Sequence, residues 1–320
     1  FTATDDCNNS STTTATFTIV DTTDPTITVM AVNDTVECDG TGNTADLTAW
    51  LADNGGAEAT DACSGPVIWT NNFASLSDLC GETGESDVTF TATDSCGNAS
   101  TTTARFVIED TTAPDMPTMA CPGDTVIYLD ASCEVDTTSA TLGLATSSAS
   151  DVCDANPTLD EYYSDSQLVF TCKDEDDERQ GSYTFTRTFY AAATDACGLT
   201  GDTADCVQTI TVFDTLAPVL TAAMDTTVEC DGSGNSADLA SWLANYGGAT
   251  GSDNCDSQLG WINDYDAANF ADACGATGSV AVTFTASDDC DNSSTTTATF
   301  TIADTTDPTI TVMAVNDTVE

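Results

Sequence analysis

Histidine is absent from this chain, and basic side chains are nearly so. Of 320 residues only Arg105, Lys173, Arg179 and Arg187 are basic, against 53 acidic ones, which leaves a net charge of −49. Without histidine there is no Ser-His-Asp or Cys-His relay. Zinc loses its usual nitrogen ligand as well, and no two cysteines have the close C-x2-C spacing of a zinc finger. The missing positive charge excludes nucleic acid and anionic membrane as partners, because both would be repelled. No apolar run approaches the ~20 residues of a membrane-spanning helix, and no glycine-rich phosphate loop leads from a strand into a helix. The acidity is not that of a disordered tail. Hydrophobic residues make up 40% of the chain, and they alternate with threonine in runs that disordered acidic segments lack.

What is present is repetition. Residues 284–320 repeat residues 1–37 with changes only at positions 4, 8 and 20, so 34 of 37 residues match at an offset of 283. Inside that period the punctuation DTTDP, DTTAP, DTLAP and DTTDP starts at Asp21, Asp110, Asp214 and Asp304, at intervals of 89, 104 and 90 residues. A fixed period of this kind marks an array. We expect three domains, 22–110, 111–214 and 215–304, with 1–21 the closing hairpin of a preceding domain and 305–320 the first strand of a following one. With no leader segment and a start inside a strand pattern, the chain reads as an excerpt of a longer array.

Each repeat closes on the same pattern. Val88, Phe90 and Ala92 alternate with threonines, a Cys-Gly-Asn turn follows, and Ala104, Phe106 and Ile108 alternate again. Period-two alternation on both sides of a turn predicts a β-hairpin with one buried face. Residues 27–37 read as a first strand and Val67–Thr70 as a middle strand, with Trp69, and Trp261 in the third repeat, as core residues. Short helices are expected at 44–52 and 236–244, each ended by an Asn and a Gly-Gly pair. Several short strands in about 90 residues give an all-β class of tandem immunoglobulin-like β-sandwich domains, with short helices in two of them.

CPGDTVIYLDASC at 121–133, with FYAAATDACGLTGDTADCVQTITVFD at 189–214, resembles the hyalin repeat. The tandem array as a whole is similar to giant secreted surface proteins of marine Bacteroidetes-type bacteria. The resemblance implies an immunoglobulin-like fold, export by the type IX route, and a place in surface fibres, adhesins or grappling-type appendages. It also implies a Cys121–Cys206 bridge between first and last strands.

Fifteen cysteines indicate an oxidising compartment. In an immunoglobulin-like sandwich the loops gather at two poles. On that ground Cys63 would meet Cys96, and Cys38 would meet Cys80. The third repeat would form Cys255–Cys290 and Cys230–Cys274, and the middle repeat Cys153–Cys197 and Cys133–Cys172. A second set, Cys38–Cys96 with Cys63–Cys80, is open on sequence. Cys7 aligns with Cys96, and its partner would lie upstream.

The same pole argument gathers carboxylates where repeats meet. Asp21, Asp24, Asp61 and Asp94 would converge at the first junction. Asp110, Asp115, Asp151 and Asp195 would do so at the second, and Asp214, Asp253 and Asp288 at the third. Converging carboxylates either cap turns in water or take up a hard cation, for which calcium is the candidate. CDGTGNTAD from residue 38, repeated from residue 230, reads either as half a calcium loop or as a helix cap. The acidic run at 173–178 reads as a solvated loop. Asp-Thr-Val at 34–36 and 124–126 resembles a bacterial O-glycosylation motif, with Thr35 and Thr125 as acceptors.

No catalytic residue is expected, since acids serving glycoside hydrolysis would be needed once and these recur in every repeat. The function expected is structural: a segment of an extracellular stalk or filament, with copies of itself or neighbouring repeats as partners. The alternative is a calcium-dependent adhesin that touches glycans on cell surfaces, for which Tyr162 and Tyr163 are the available aromatics.

Overall fold

The computed structural model describes residues 1–63, 65–172 and 181–317. The acidic run at 173–178 lies outside them. The fold is mostly β with a few short helices, arranged as three β-sandwich-like repeats. The chain divides into two compact units. One comprises Phe1–Met119, Ser147–Tyr162 and Tyr190–Asp205, and the other Ala120–Thr146, Tyr163–Phe189 and Cys206–Glu320.

In the first repeat the closing hairpin is formed by strands Gly84–Thr93 and Ala99–Glu109, in register from Gly84 opposite Ile108 to Thr93 opposite Ala99. Strand Ile68–Asn71 pairs with the first of these and strand Asp34–Glu37 with the second, which makes a four-stranded sheet. The alternation has the expected consequence: Val88, Phe90, Ala92, Ala104, Phe106 and Ile108 are buried and the intervening threonines face outward. Threonine suits that outer face because its branched Cβ favours extended backbone while its hydroxyl stays in water.

The segment expected to be one first strand is two. Thr26–Val29 pairs with Glu58–Thr60 in a small antiparallel ribbon, and Asp34–Glu37 then runs parallel to the last strand, Phe106–Glu109. Between them Ala31 donates its N–H to the Thr102 hydroxyl at 3.1 Å, and Trp50 Nε1 donates to the Val32 carbonyl at 3.2 Å. These bonds satisfy backbone groups that a change of sheet would otherwise leave unpaired.

Helix Thr44–Ala52 and its counterpart Ser236–Ala244 close the open side of the sheet. Their tryptophans reach the core. Trp50 meets Phe90 edge-on at 5.2 Å between ring centres, and Trp242 meets Phe284 at 5.3 Å. Trp69 and Trp261, expected as core residues, are only partly buried and pack on the rim. The middle strand is short and lies at the sheet edge, whereas the helix lies over its centre. Beyond each helix a glycine must sit against the ring. Gly55 has φ +63°, and a Cβ there would press on Phe90, Ala31 and Trp50.

The third repeat repeats this plan in the second unit. Strands Gly278–Ser287 and Ser293–Ala303 form the hairpin, and Thr226–Glu229 runs parallel to the latter. The middle repeat has strand order Thr125–Tyr128, Ala204–Phe213, Tyr183–Thr194, Thr158–Asp165. Thr125–Tyr128 again runs parallel to the end of the last strand, Ile210–Phe213. Its helix is a single turn, Ser139–Leu142, and its core holds Leu129, Phe185, Ile210 and Val212. Arg187 is buried there. It makes two bonds of 2.7 Å to Asp165 and lies 4.1 Å over the Tyr163 ring.

Trp50→Ala should destabilise the first repeat by about 3–5 kcal/mol, the usual result of emptying an aromatic site in a core. Trp69→Ala should cost clearly less. Urea unfolding of the two variants, followed by near-ultraviolet circular dichroism, would measure the order; equal losses would contradict the assignment of the core.

Candidate functional site

The ends of the repeats carry the chemistry. In the first unit, cluster one brings Asp21, Asp61 and Asp94 together, with carboxylate oxygens within 4.8 Å of one another. Around Asp110 the structure gathers Asp151 with Cys153, and Asp195 with Cys197, at the same limit. In the second unit Asp214 and Asp253 meet beside Cys255. The neighbouring cysteines Cys153, Cys197 and Cys255 are all locked in disulfides. They therefore offer no thiolate, and the donor set is oxygen.

These acids come from three kinds of loop. Asp110 and Asp214 follow a last strand and Asp21 holds the equivalent sequence position; each turns the chain by accepting the N–H two residues on, at 3.1 Å in each case. Asp61, Asp151 and Asp253 each accept the N–H of the cysteine two residues on, at 2.7–2.8 Å. Asp94 and Asp288 sit in the hairpin turns, where each accepts the cysteine N–H and both the backbone and side-chain N–H groups of an asparagine. That asparagine also reaches the preceding strand end. Asn98 donates to the Asp21 carbonyl at 3.3 Å and Asn292 to the Asp214 carbonyl at 3.4 Å.

At three of the acids one oxygen is consumed and the other is spared. Asp110 Oδ2, Asp195 Oδ2 and Asp253 Oδ2 are buried and have no hydrogen-bond partner. Asp195 is only 6% exposed. A buried anionic oxygen left unpaired costs at least about 1–3 kcal/mol, so a group of them needs a counter-charge. The two described bases are engaged elsewhere, Arg105 with Glu85 and Asp87, and Arg187 with Asp165.

Electrostatics follow the geometry. Burial raises the Asp110 carboxyl above the ordinary carboxylate value, and the like charges of Asp151, Asp195 and Glu37 add to it. Asp214 is raised by burial and then by Asp253, Asp288 and Asp256. Asp94 is buried too, but the N–H groups of Asn98 and Cys96 outweigh that and hold its carboxyl low.

Some expected members lie elsewhere. Asp24 is exposed and outside the first grouping. Asp115 accepts the Ser150 hydroxyl at 3.1 Å and is likewise outside its grouping. Asp288 lies outside the grouping of Asp214 and Asp253, although it still bears on Asp214 as a like charge. Sequence reasoning missed Asp154 and Asp256, which latch one loop to the next: their Oδ2 atoms accept the N–H groups of Ala196 and Asp289, each at 2.9 Å. It also missed Glu37 and Glu229, which grip Thr111–Thr112 and Thr305–Thr306 through bonds of 2.7–3.0 Å. The repeated Val-Glu-Cys motif was the available signal for these two. The Asp39–Asp46 loop is self-satisfied. Asp39 accepts from Thr41 and Asn43, and Asn43 donates to Glu37 and Asp46. Thr35 is exposed, while the half-buried Thr125 hydroxyl is engaged with Gly123 and Gln208.

The bridges overturn most of the expected pairing. Cys38 joins Cys153 and Cys80 joins Cys197, within the first unit; Cys133 joins Cys255 and Cys172 joins Cys290, within the second. Cys121–Cys206 ties first to last strand in the middle repeat. Cys38–Cys80, Cys133–Cys172, Cys153–Cys197 and Cys255–Cys290 do not form, nor do Cys63–Cys96, Cys230–Cys274 or the alternative Cys38–Cys96 and Cys63–Cys80. The two cysteines of one pole each pair with a cysteine of the next repeat and not with each other. Their thiols therefore meet loops of the next repeat, at Cα separations of 5.0–5.8 Å. Cys7, Cys63, Cys96, Cys230 and Cys274 are free.

A carboxyl raised in the folded state adds stability when protonated, below its ordinary value, and loses it as the pH rises through the raised one. In calcium-free buffer Asp110→Asn should therefore melt higher than the parent chain at pH 7. The gain should shrink as the pH falls towards ~4, where the parent carboxyl is itself neutral. Thermal melts in chelator across that range test this; a loss at pH 7, or a gain that persists at low pH, would contradict it.

Among known proteins, no family profile matches the chain and no curated protein is significantly similar to it. Solved structures resemble it distantly. Extracellular cadherin domains 1–5 of protocadherin gamma B2 share 13% identity at a TM-score of 0.31, covering 88% of this chain and 60% of that one. Mouse cadherin-23 EC22-24 shares 11% at 0.30, covering 88% and 99%. The human desmocollin-1 ectodomain shares 12% at 0.21, covering 69% and 47%.

Proposed function

We propose that this chain is a load-bearing segment of an extracellular stalk or filament, with disulfides and calcium fixing successive repeats to one another. The observation that carries the reading is the place of Asp195. It has a buried, unpartnered oxygen and a carboxylate oxygen within 4.8 Å of one of Asp110, beside two disulfides that join one repeat to loops of the next. Calcium suits the donor set because it takes six to eight oxygens and tolerates irregular geometry. Asp110, Asp151 and Asp195 would hold one ion, Asp214 and Asp253 another, and Asp21, Asp61 and Asp94 a third. Bound there, the cation would cancel the mutual repulsion of the carboxylates and resist bending.

Five disulfides support an oxidising, extracellular setting. The resemblance of the whole array to giant secreted surface proteins of Bacteroidetes-type bacteria suggests such a cell surface as the host setting, and the Asp-Thr-Val motif suggests Thr35 as a sugar acceptor. An architectural role, not a catalytic one, follows from the recurrence of the same acids in every repeat. The adhesin reading finds less support, because the two candidate aromatics, though exposed, each also serve an internal contact. Tyr162 stacks on Tyr190 at 4.9 Å, and Tyr163 holds Arg187.

Calcium titration by isothermal calorimetry should show binding with Kd of roughly 10⁻⁴ to 10⁻³ M, the range of extracellular modules. At a concentration of 100 Kd the ion should add about 2.7 kcal/mol per site. Asp195→Asn should weaken the Asp110 site about tenfold or more. Absence of heat and of any melting shift in millimolar calcium would remove the cation from the proposal.

A further inference from the structure

Five cysteines remain unpaired: Cys7, Cys63, Cys96, Cys230 and Cys274. Each occupies a position whose equivalent elsewhere in the chain is bridged. Cys63 corresponds to Cys153 and Cys255, and all three follow an aspartate that accepts the cysteine N–H at 2.7–2.8 Å. Cys96 corresponds to Cys290, in the same hairpin turn with the same aspartate bond at 2.8 and 2.9 Å. Cys230 and Cys274 correspond to Cys38 and Cys80.

The downstream end of the third repeat is built like that of the first. Cys38 Sγ lies 4.0 Å from the Glu82 carbonyl, and Cys230 Sγ lies 3.7 Å from that of Ala276. Cys80 Sγ lies 3.4 Å from the Thr83 hydroxyl, and Cys274 Sγ lies 3.7 Å from that of Thr277. The glycines agree. Gly40 and Gly81, with φ +70° and +56°, let the carbonyls of Val152 and Cys153 approach so closely that a Cβ would collide with them. Gly232 and Gly275 have φ +75° and +65°, with open space over the position a Cβ would take. Glycine in that conformation is the residue type a close backbone approach requires.

We propose that these two faces are mating surfaces for further copies of this chain's own repeat. A third-type repeat placed ahead of the first would join it through Cys230–Cys63 and Cys274–Cys96 bridges. The inference rests on the serial-stalk reading and is independent of calcium. The occupant is set by residues already present. Phe1–Asp21 repeats residues 284–304, the closing hairpin of the third repeat, with three changes. Its Asp21 already sits with Asp61 and Asp94, and Asn98 grips its carbonyl as Asn292 grips that of Asp214. The preceding repeat would thus bring its Cys230 and Cys274 equivalents to the loops that carry Cys63 and Cys96. Cys7 stands where Cys290 stands and would take a Cys172 equivalent further back. Each bridge forms as two thiols are oxidised by a small-molecule disulfide, which leaves as two thiols carrying the two protons.

The test extends the full 320-residue chain at its N terminus with a second copy of residues 215–283, so that Phe1–Asp21 completes the added repeat. Both chains are refolded with oxidised glutathione, alkylated, and mapped by non-reducing peptide mass spectrometry. In the original chain Cys63 and Cys96 should be alkylated or carry glutathione. In the extended chain they should be protected and linked to the added Cys230 and Cys274 copies respectively. Replacing those two added cysteines by serine should restore labelling at Cys63 and Cys96 while Cys38–Cys153 and Cys80–Cys197 stay intact. A Cys63–Cys96 bridge in any of the chains would overturn the proposal. So would thiols that stay reactive in the extended chain, or protection that survives the serine substitutions. The calcium titration on the original chain stands apart from each of these outcomes.

Discussion

The parallel pairing of each repeat's short first-sheet strand with its last strand sets the geometry on which the rest depends. Asp34–Glu37 runs beside Phe106–Glu109 in the same direction, and Cys38 donates its N–H to the Glu109 carbonyl at 2.8 Å. Because both strands leave the sheet at the same end, Cys38 and Asp110 emerge side by side. The third repeat does the same with Cys230 and Asp304, where Cys230 donates to the Ala303 carbonyl at 2.8 Å. An antiparallel pairing would have put the staple and the carboxylate at opposite ends. Glu37 and Glu229 then fasten the two threonines after each terminal aspartate, so the exit direction of the chain is held by side chains as well.

Much of this was legible in the residues because local periodicity reports local structure. The hairpin of Val88, Phe90 and Ala92 against Ala104, Phe106 and Ile108 follows from alternation alone. The helices at 44–52 and 236–244 follow from the punctuation around them. The gathering of Asp21, Asp61 and Asp94 follows from knowing that loops of a sandwich share poles. Pairing of the cysteines does not follow from any of these. A pole contains two cysteines, and sequence within one repeat cannot tell whether they face each other or face outward. That depends on the neighbouring repeat, which supplies the partner more than 110 residues away. The placement of tryptophan was missed for a related reason. Trp69 alternates like a core residue but lies at an edge, whereas Trp50 reaches the core from a nine-residue helix with no clear apolar stripe.

Carboxylates and bridges share the same loops, and each makes the other useful. Asp110, Asp151 and Asp195 repel, so left alone the loops that carry them would drift apart and the site would dissolve. Cys38–Cys153 and Cys80–Cys197 hold those loops in place covalently, next to the acids themselves. A cation bound as proposed would then have little ordering left to impose, and preorganisation of this kind converts into affinity. The reverse also applies. A bridge fixes two points and leaves rotation about them, while a cation between three carboxylates from three loops restrains the remaining freedom. Two bridges and an ion bound as proposed would therefore constrain a junction more than either could separately.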